Sequence, residues 1–204
     1  MGYDTPEAVL TLARQFMESR ILLTAAELNL FTPLAGKPST AEELSGNLCC
    51  DPRALTILLD ALAAMGLLEK QDGTYRTPAA AAPYLADASP RSVIPMILHA
   101  ARLWESWSRL TPIVRGDNPP EDAAGAARDE EALRAFIGAM HVAGTSLAER
   151  IVAAVQPGPA RNLLDVGGAS GTYTAAFLNA SPDMEATLFD RPEVIPMARE
   201  RLSE

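Results

Sequence analysis

Between Arg161 and Asp190 the sequence sets glycines and carboxylates at spacings that could hold a nucleoside. The apolar run Asn162 to Val166 feeds Gly167, Gly168, Ala169, Ser170 and Gly171, and Thr172 to Leu178 follow at helical spacing. That order predicts the strand, loop and helix of a nucleotide-binding βαβ half. A second short strand, Ala186 to Phe189, ends on Asp190. Glycines at 167, 168 and 171 remove Cβ atoms that would hold a ligand off the backbone, and they allow the positive φ of a tight loop. Asp190 comes 25 residues after Asp165, where a carboxylate can accept hydrogen bonds from both hydroxyls of a ribose. Each such charge-assisted bond is worth about 1.5–3 kcal/mol.

A dinucleotide site wants G-x-G-x-x-G, with a pyrophosphate on the helix N-terminus. Counting from Gly167 puts Ala169 and Thr172 at the second and third glycine positions, so that fingerprint fails. The stretch instead resembles motif I of the class I S-adenosylmethionine-dependent methyltransferases, Asp-x-Gly-x-Gly-x-Gly, met here by Asp165, Gly167 and Gly171. Ala169 departs from it, at the expense of one methyl of clearance, a tolerable change if the residue keeps φ negative. In that family the acid opening the motif lies near the amino-acid end of the cofactor, and the acid ending the second strand holds the ribose. The resemblance thus implies S-adenosylmethionine as cofactor, held by Asp165, Gly167, Gly168, Gly171, Asp190 and Arg191. A Gly-rich turn alone also reads as an ordinary tight βα loop; the carboxylate at 190 and the preceding domain carry the resemblance further.

The whole chain has 204 residues, 48% hydrophobic and 21% charged, enough for one large or two small soluble domains. Seventeen Lys and Arg face 26 Asp and Glu, for a formal charge of −9. That excess repels nucleic-acid phosphates and anionic membrane surfaces and favours a neutral or cationic small molecule. The two cysteines, Cys49 and Cys50, are adjacent, a spacing unsuited to a stapling disulfide. No Cys or His cluster suggests a metal. No apolar run reaches a membrane span and the N-terminus has no basic leader, so the expectation is a cytoplasmic protein.

The elements that must present the loop come before it. Thr5, Pro6 and Glu7 form a helix start, followed by an apolar face (Val9, Leu10, Leu12, Phe16, Met17, Ile21, Leu22) too broad for one neighbour. Such a helix wants burial inside a domain or between subunits. From Thr32 to Thr77 the pattern is a winged helix: Ser39 or Thr40 caps a helix, Asp51 and Pro52 start another running to Met65, and two strands flank Asp72-Gly73. Its second helix offers Arg53 as the only base among apolar residues, and six acids outnumber four bases between Lys37 and Arg76. A DNA-binding role therefore ranks below packing against another protein surface, most simply a second copy. Pro78 to Pro95 reads as a loop or a broken helix around Tyr84 and Leu85. Ser92 to Leu110 is helical, with Trp104 and Trp107 on one face, as core packing or as an aromatic pocket wall. Arg115 to Ala127 is a polar loop, Asp129 to Val155 a helix, and Gln156 to Pro159 a stiff linker. After Asp190 a last helix is expected from Pro192.

This order of parts resembles the O-methyltransferases of the plant caffeic-acid type and their bacterial relatives in secondary metabolism. The implied fold is a mainly α winged-helix dimerisation domain followed by the start of an α/β Rossmann-like methyltransferase domain. We expect a dimerisation domain over 1–110, connecting helices lining the pocket over 111–157, and the cofactor-binding part over 158–204. The resemblance implies a homodimer that transfers a methyl group to a hydroxyl of a small aromatic or polyketide-like molecule. It also implies a pocket-lining set of Trp104, Trp107, Phe136, Met140 and His141, each of which is equally readable as core or helix surface. Relatives remove the hydroxyl proton with a histidine well after motif I, a region expected to be absent from a chain ending at Glu204, so no catalytic residue is assigned. A non-catalytic dimerisation or regulatory protein keeping a relic cofactor loop is the alternative, and a winged-helix DNA binder the third.

Overall fold

The computed structural model describes residues 4–87, 89–117 and 130–203. The chain divides into two compact units, Met1–Ala101 and Arg102–Glu204. Helix α1, Pro6–Glu27, starts where the Thr5 hydroxyl accepts from the Ala8 N–H at 3.2 Å, with Pro6 in the first turn. Only its C-terminal end is buried, at Leu23, Ala25 and Ala26. Val9, Leu10, Leu12, Phe16 and Met17 stay about half exposed (47–52%), so the broad apolar face expected to be covered is open on this chain. Helix α2, Phe31–Gly36, then sends Phe31 and Leu34 into the core.

The winged helix is present and carries one more strand than the sequence pattern predicts. Strand β1, Ser39–Thr40, precedes helix α3, Ala41–Leu48, and Thr40 makes a reciprocal capping box with Glu43. Asp51 caps helix α4, Pro52–Ala64, whose Leu55, Leu59 and Leu62 face the core. Strands β2, Glu69–Gln71, and β3, Thr74–Arg76, pair antiparallel across Asp72 and Gly73, both at positive φ (48° and 78°) as a tight hairpin turn demands. The sheet order is β1-β3-β2, and the two-residue edge strand β1 is too short to leave a periodic signal. Buried Tyr75 donates its hydroxyl to Asp60 Oδ1 at 2.6 Å, and Lys70 Nζ meets the same oxygen at 2.5 Å.

Where a loop or broken helix was expected, a single turn, α5 (Ala82–Leu85), is followed by α6, Ile94–Ser108, and α7, Leu110–Val114. The division between the two compact units falls inside α6, at 101/102. The connecting helices group with the strands because α8, Glu130–Val155, packs along α9, Thr172–Ala180. Most of the expected polar loop, and the expected helix start at Asp129, lie outside the described residues.

In the second unit β4, Asn162–Val166, pairs parallel with β5, Glu185–Phe189, with Asp165 opposite Leu188. α9 connects them, as a parallel pair requires. One sheet face carries Leu164, Val166 and Phe189, each more than 60% exposed. The last helix, α10, runs Ile195–Leu202 and not from Pro192. Its first turn uses Pro196, while residues 192–194 form a turn closed by the Val194 N–H on the Arg191 carbonyl at 2.9 Å. Among the described residues no helix is long and apolar enough to cross a membrane, and no three or more His, Cys, Asp or Glu side chains gather as a metal ion would need.

Candidate cofactor site

The loop 167–171 turns at the carboxyl end of β4, the position where open α/β sheets take ligands. Its start is tied to the neighbouring strand, since the Gly167 N–H donates to the Phe189 carbonyl at 2.7 Å. Its end is closed by the Gly171 N–H on the Gly168 carbonyl at 2.8 Å. Gly171 is the N-cap of α9 at φ 74°, and a Cβ there would come within 3.0 Å of Leu202. Gly168 is required for a different reason. Its φ is ordinary, but a Cβ would stand 2.6 Å from Leu188 Cγ, 2.8 Å from Leu188 Cδ1 and 3.0 Å from Asp165 Cγ. By contrast nothing lies within 4 Å of where a Gly167 Cβ would be, so the backbone there is open to a ligand.

Ala169 is where the loop departs from the family motif. An alanine at 169 is tolerable on the sequence reading if its φ stays negative, and that condition is not met: the residue sits at φ 48°, in the left-handed region. A residue with a Cβ is strained there by about 1–2 kcal/mol. Asp190 holds it, accepting the Ala169 N–H on Oδ2 at 2.8 Å while Oδ1 accepts the Arg191 N–H at 2.7 Å. A carboxylate bound to a backbone donor offsets strain of that size. Asp190 thus joins the tip of β5 to the glycine loop while remaining only half-buried.

Asp165 is oriented from below, by the buried Thr174 hydroxyl donating to its Oδ2 at 2.6 Å. Arg191 is exposed and ion-paired with Glu193. The Glu193 backbone N–H, and then the Arg191 guanidinium, hold the Glu193 carboxyl below the usual range. All six residues of the expected cofactor set therefore converge on the ends of β4 and β5.

The expected pocket set does not gather in the same way. Trp107 on α6 is 68% exposed and Phe136 on α8 is 43% exposed, while Trp104 and Met140 are half-buried. Core packing, one of the two readings offered for the tryptophans, fails for Trp107 in this unit. His141 lines a groove of about 510 Å³ between α8 and α9 with Thr145, Glu149, Thr172 and Asn179, and none of the other four lines it. His141 Nδ1 meets Thr172 Oγ1 at 2.8 Å. Sequence reasoning missed Ser170, Thr172 and Thr174. A signal was available for Thr174, nine residues past Asp165 on the first turn of the helix, but none for the others.

A winged-helix unit followed by a Rossmann-like half-site, with a glycine loop and an acid at the second strand tip, defines the methyltransferase class of nucleoside-binding folds. Comparison with known proteins agrees. A family model described as the O-methyltransferase dimerisation domain matches residues 10–87, and one described as the O-methyltransferase domain matches residues 114–204. The chain belongs to this O-methyltransferase family. It is 36% identical to the tetracenomycin polyketide synthesis 8-O-methyl transferase TcmO of Streptomyces glaucescens, over 97% of this chain and 60% of that protein. It is 32% identical to the 3-hydroxy-5-methyl-1-naphthoate 3-O-methyltransferase of Streptomyces sahachiroi, over 97% of this chain and 59% of that one. An O-methyltransferase family protein from Burkholderia thailandensis superposes with a TM-score of 0.81 at 28% identity, covering 99% of this chain and 61% of that one. The chain thus spans about 60% of the length of the relatives it matches.

Proposed function

We propose that this chain supplies the dimerisation and cofactor-binding parts of a cytoplasmic, S-adenosylmethionine-dependent O-methyltransferase. Its acceptor is a hydroxyl of a small aromatic or polyketide-like molecule, and it works as a homodimer. The observation that carries the reading is Asp190, fixed at the tip of β5 and bonded to the loop that closes β4. Its carboxylate retains lone pairs for the ribose hydroxyls, which would come in beside the open backbone at Gly167. Asp165, held by Thr174, faces the amino-acid end. The cofactor, when bound, supplies a methyl on a sulfonium whose departure leaves a neutral thioether. What the protein contributes is alignment, with the reacting atoms held in line and water kept out.

The names of the two Streptomyces relatives, one a polyketide enzyme and one a naphthoate enzyme, support an aromatic acceptor. Trp104, Trp107, Phe136 and Met140 are the side chains we assign to its pocket. The half-exposed apolar face of α1 supports the homodimer, since a second copy would cover it. Calorimetric titration of the chain with S-adenosylhomocysteine tests the site without a known acceptor. Saturable one-to-one binding is expected, and a folded chain that does not bind would overturn the assignment.

A further inference from the structure

We propose that His141 is a positioning residue for the glycine loop, acting through a one-way hydrogen-bond chain that ends on the buried Ser170. The proposal rests on reading that loop as the cofactor site. Ser170 is 3% exposed, and its Oγ lies 2.7 Å from Thr172 Oγ1, which in turn lies 2.8 Å from His141 Nδ1. At the far side of the ring, Nε2 lies 3.4 Å from Thr145 Oγ1, while that hydroxyl donates to the His141 carbonyl at 2.8 Å.

Counting protons gives the chain a direction. Thr145 has one hydroxyl hydrogen and it goes to the carbonyl, so its oxygen accepts from Nε2–H. A neutral imidazole with its proton on Nε2 is an acceptor at Nδ1. Thr172 therefore donates to His141, and its oxygen is left to accept from Ser170. Each hydroxyl in the chain uses its hydrogen once, and the buried one is satisfied.

The placement matters because Gly171, the N-cap of α9, has no side chain with which to fix the helix start. The His141–Thr172 bond does this from a neighbouring helix. Gly144, one turn along α8, faces the same residues: a Cβ there would stand in ordinary van der Waals contact, 3.4 Å from Thr172 Cγ2 and 3.6 Å from Tyr173 Cζ. Through His141 the helix α8 holds Thr172 and, through Thr172, Ser170, the two hydroxyl residues that flank Gly171.

The test is amide exchange and nitrogen NMR on the 204-residue chain, with S-adenosylhomocysteine titrated in parallel. In wild type, His141 is expected to carry its proton on Nε2. His141→Leu should speed exchange of the Gly171 amide about tenfold, the scale of one unpaired part-buried hydroxyl. His141→Asn, which restores a polar atom near Nδ1, should recover most of it. Exchange of the Glu185 amide, bonded to the Arg161 carbonyl at the opposite end of the sheet, should not move. A proton on Nδ1, unchanged exchange in His141→Leu, or no recovery in His141→Asn overturns the proposal. Wild type that fails to bind S-adenosylhomocysteine while keeping this exchange pattern overturns the cofactor reading and leaves the positioning of the loop standing.

Discussion

Gly168→Ala isolates the steric demand of the loop from its backbone conformation. The new Cβ would lie 2.6 and 2.8 Å from Leu188 Cγ and Cδ1, against the roughly 3.5–4.0 Å at which carbons pack. Leu188 Cγ is one bond from Cβ on a strand whose register pairs Leu188 with Asp165, so no rotation of a distant end relieves the overlap. Overpacking of this kind costs about 1–3 kcal/mol. Leu188→Ala alone removes a half-buried side chain and should cost about 2 kcal/mol, the low end for such truncations. If the two act through the same contact, the double variant falls short of their sum by about 1 kcal/mol or more, because two of the three close atoms are gone. Urea unfolding followed by Trp104 and Trp107 fluorescence, in the same unit as the loop, measures all three. Additivity to within about 0.3 kcal/mol would refute the steric account.

Three further outcomes follow from the site and the wing. Ala169→Gly relieves about 1–2 kcal/mol of left-handed strain and gives back about 0.4–1 kcal/mol in unfolded-chain freedom. It should raise the urea midpoint slightly, and a lowered one would mean the residue is unstrained. Asp190→Ala should weaken S-adenosylhomocysteine binding about tenfold or more, as expected for a lost charged hydrogen bond, and unchanged affinity removes Asp190 from the site. In the wing, the hydrogen bond from Lys70 and then that from the Tyr75 hydroxyl hold the Asp60 carboxyl below its ordinary range. A lowered acid pKa stabilises the fold above the unfolded value of about 3.9, and the contribution is lost as pH falls through the folded value. The same bond raises Lys70, whose contribution is present below its ordinary range and lost as pH rises through the folded value. Asp60→Asn should therefore flatten the acid edge of the stability–pH curve, and an unaltered edge would show that the pair has no linked role.

Much of this was legible in the residue order. The caps at Thr5, Thr40 and Asp51, the Asp72-Gly73 hairpin and the strand-loop-helix at 162–180 are local features, decided by side-chain groups within a few residues of the backbone they satisfy. Glycines and carboxylates at fixed spacing pointed to a nucleoside site for the same reason. The sign of φ at Ala169 was not legible, because the residue is held by Asp190, 21 residues away, whose carboxylate reaches the Ala169 N–H only when β4 and β5 pair. The start of α10 shifted because residues 192–194 form a turn closed by the Val194 N–H on the Arg191 carbonyl, a backbone bond that spacing does not reveal.

By itself, then, the sequence determined the main helices, the hairpin and the strand-loop-helix at 162–180, and which carboxylates could meet a ribose. Only the tertiary structure decided that Gly168 must be glycine because of Leu188, and that His141 turns to Thr172. The physical reason is range: capping and turn geometry act through neighbours in the chain, whereas a steric limit or a hydroxyl chain exists only after α8, α9 and the strands are packed.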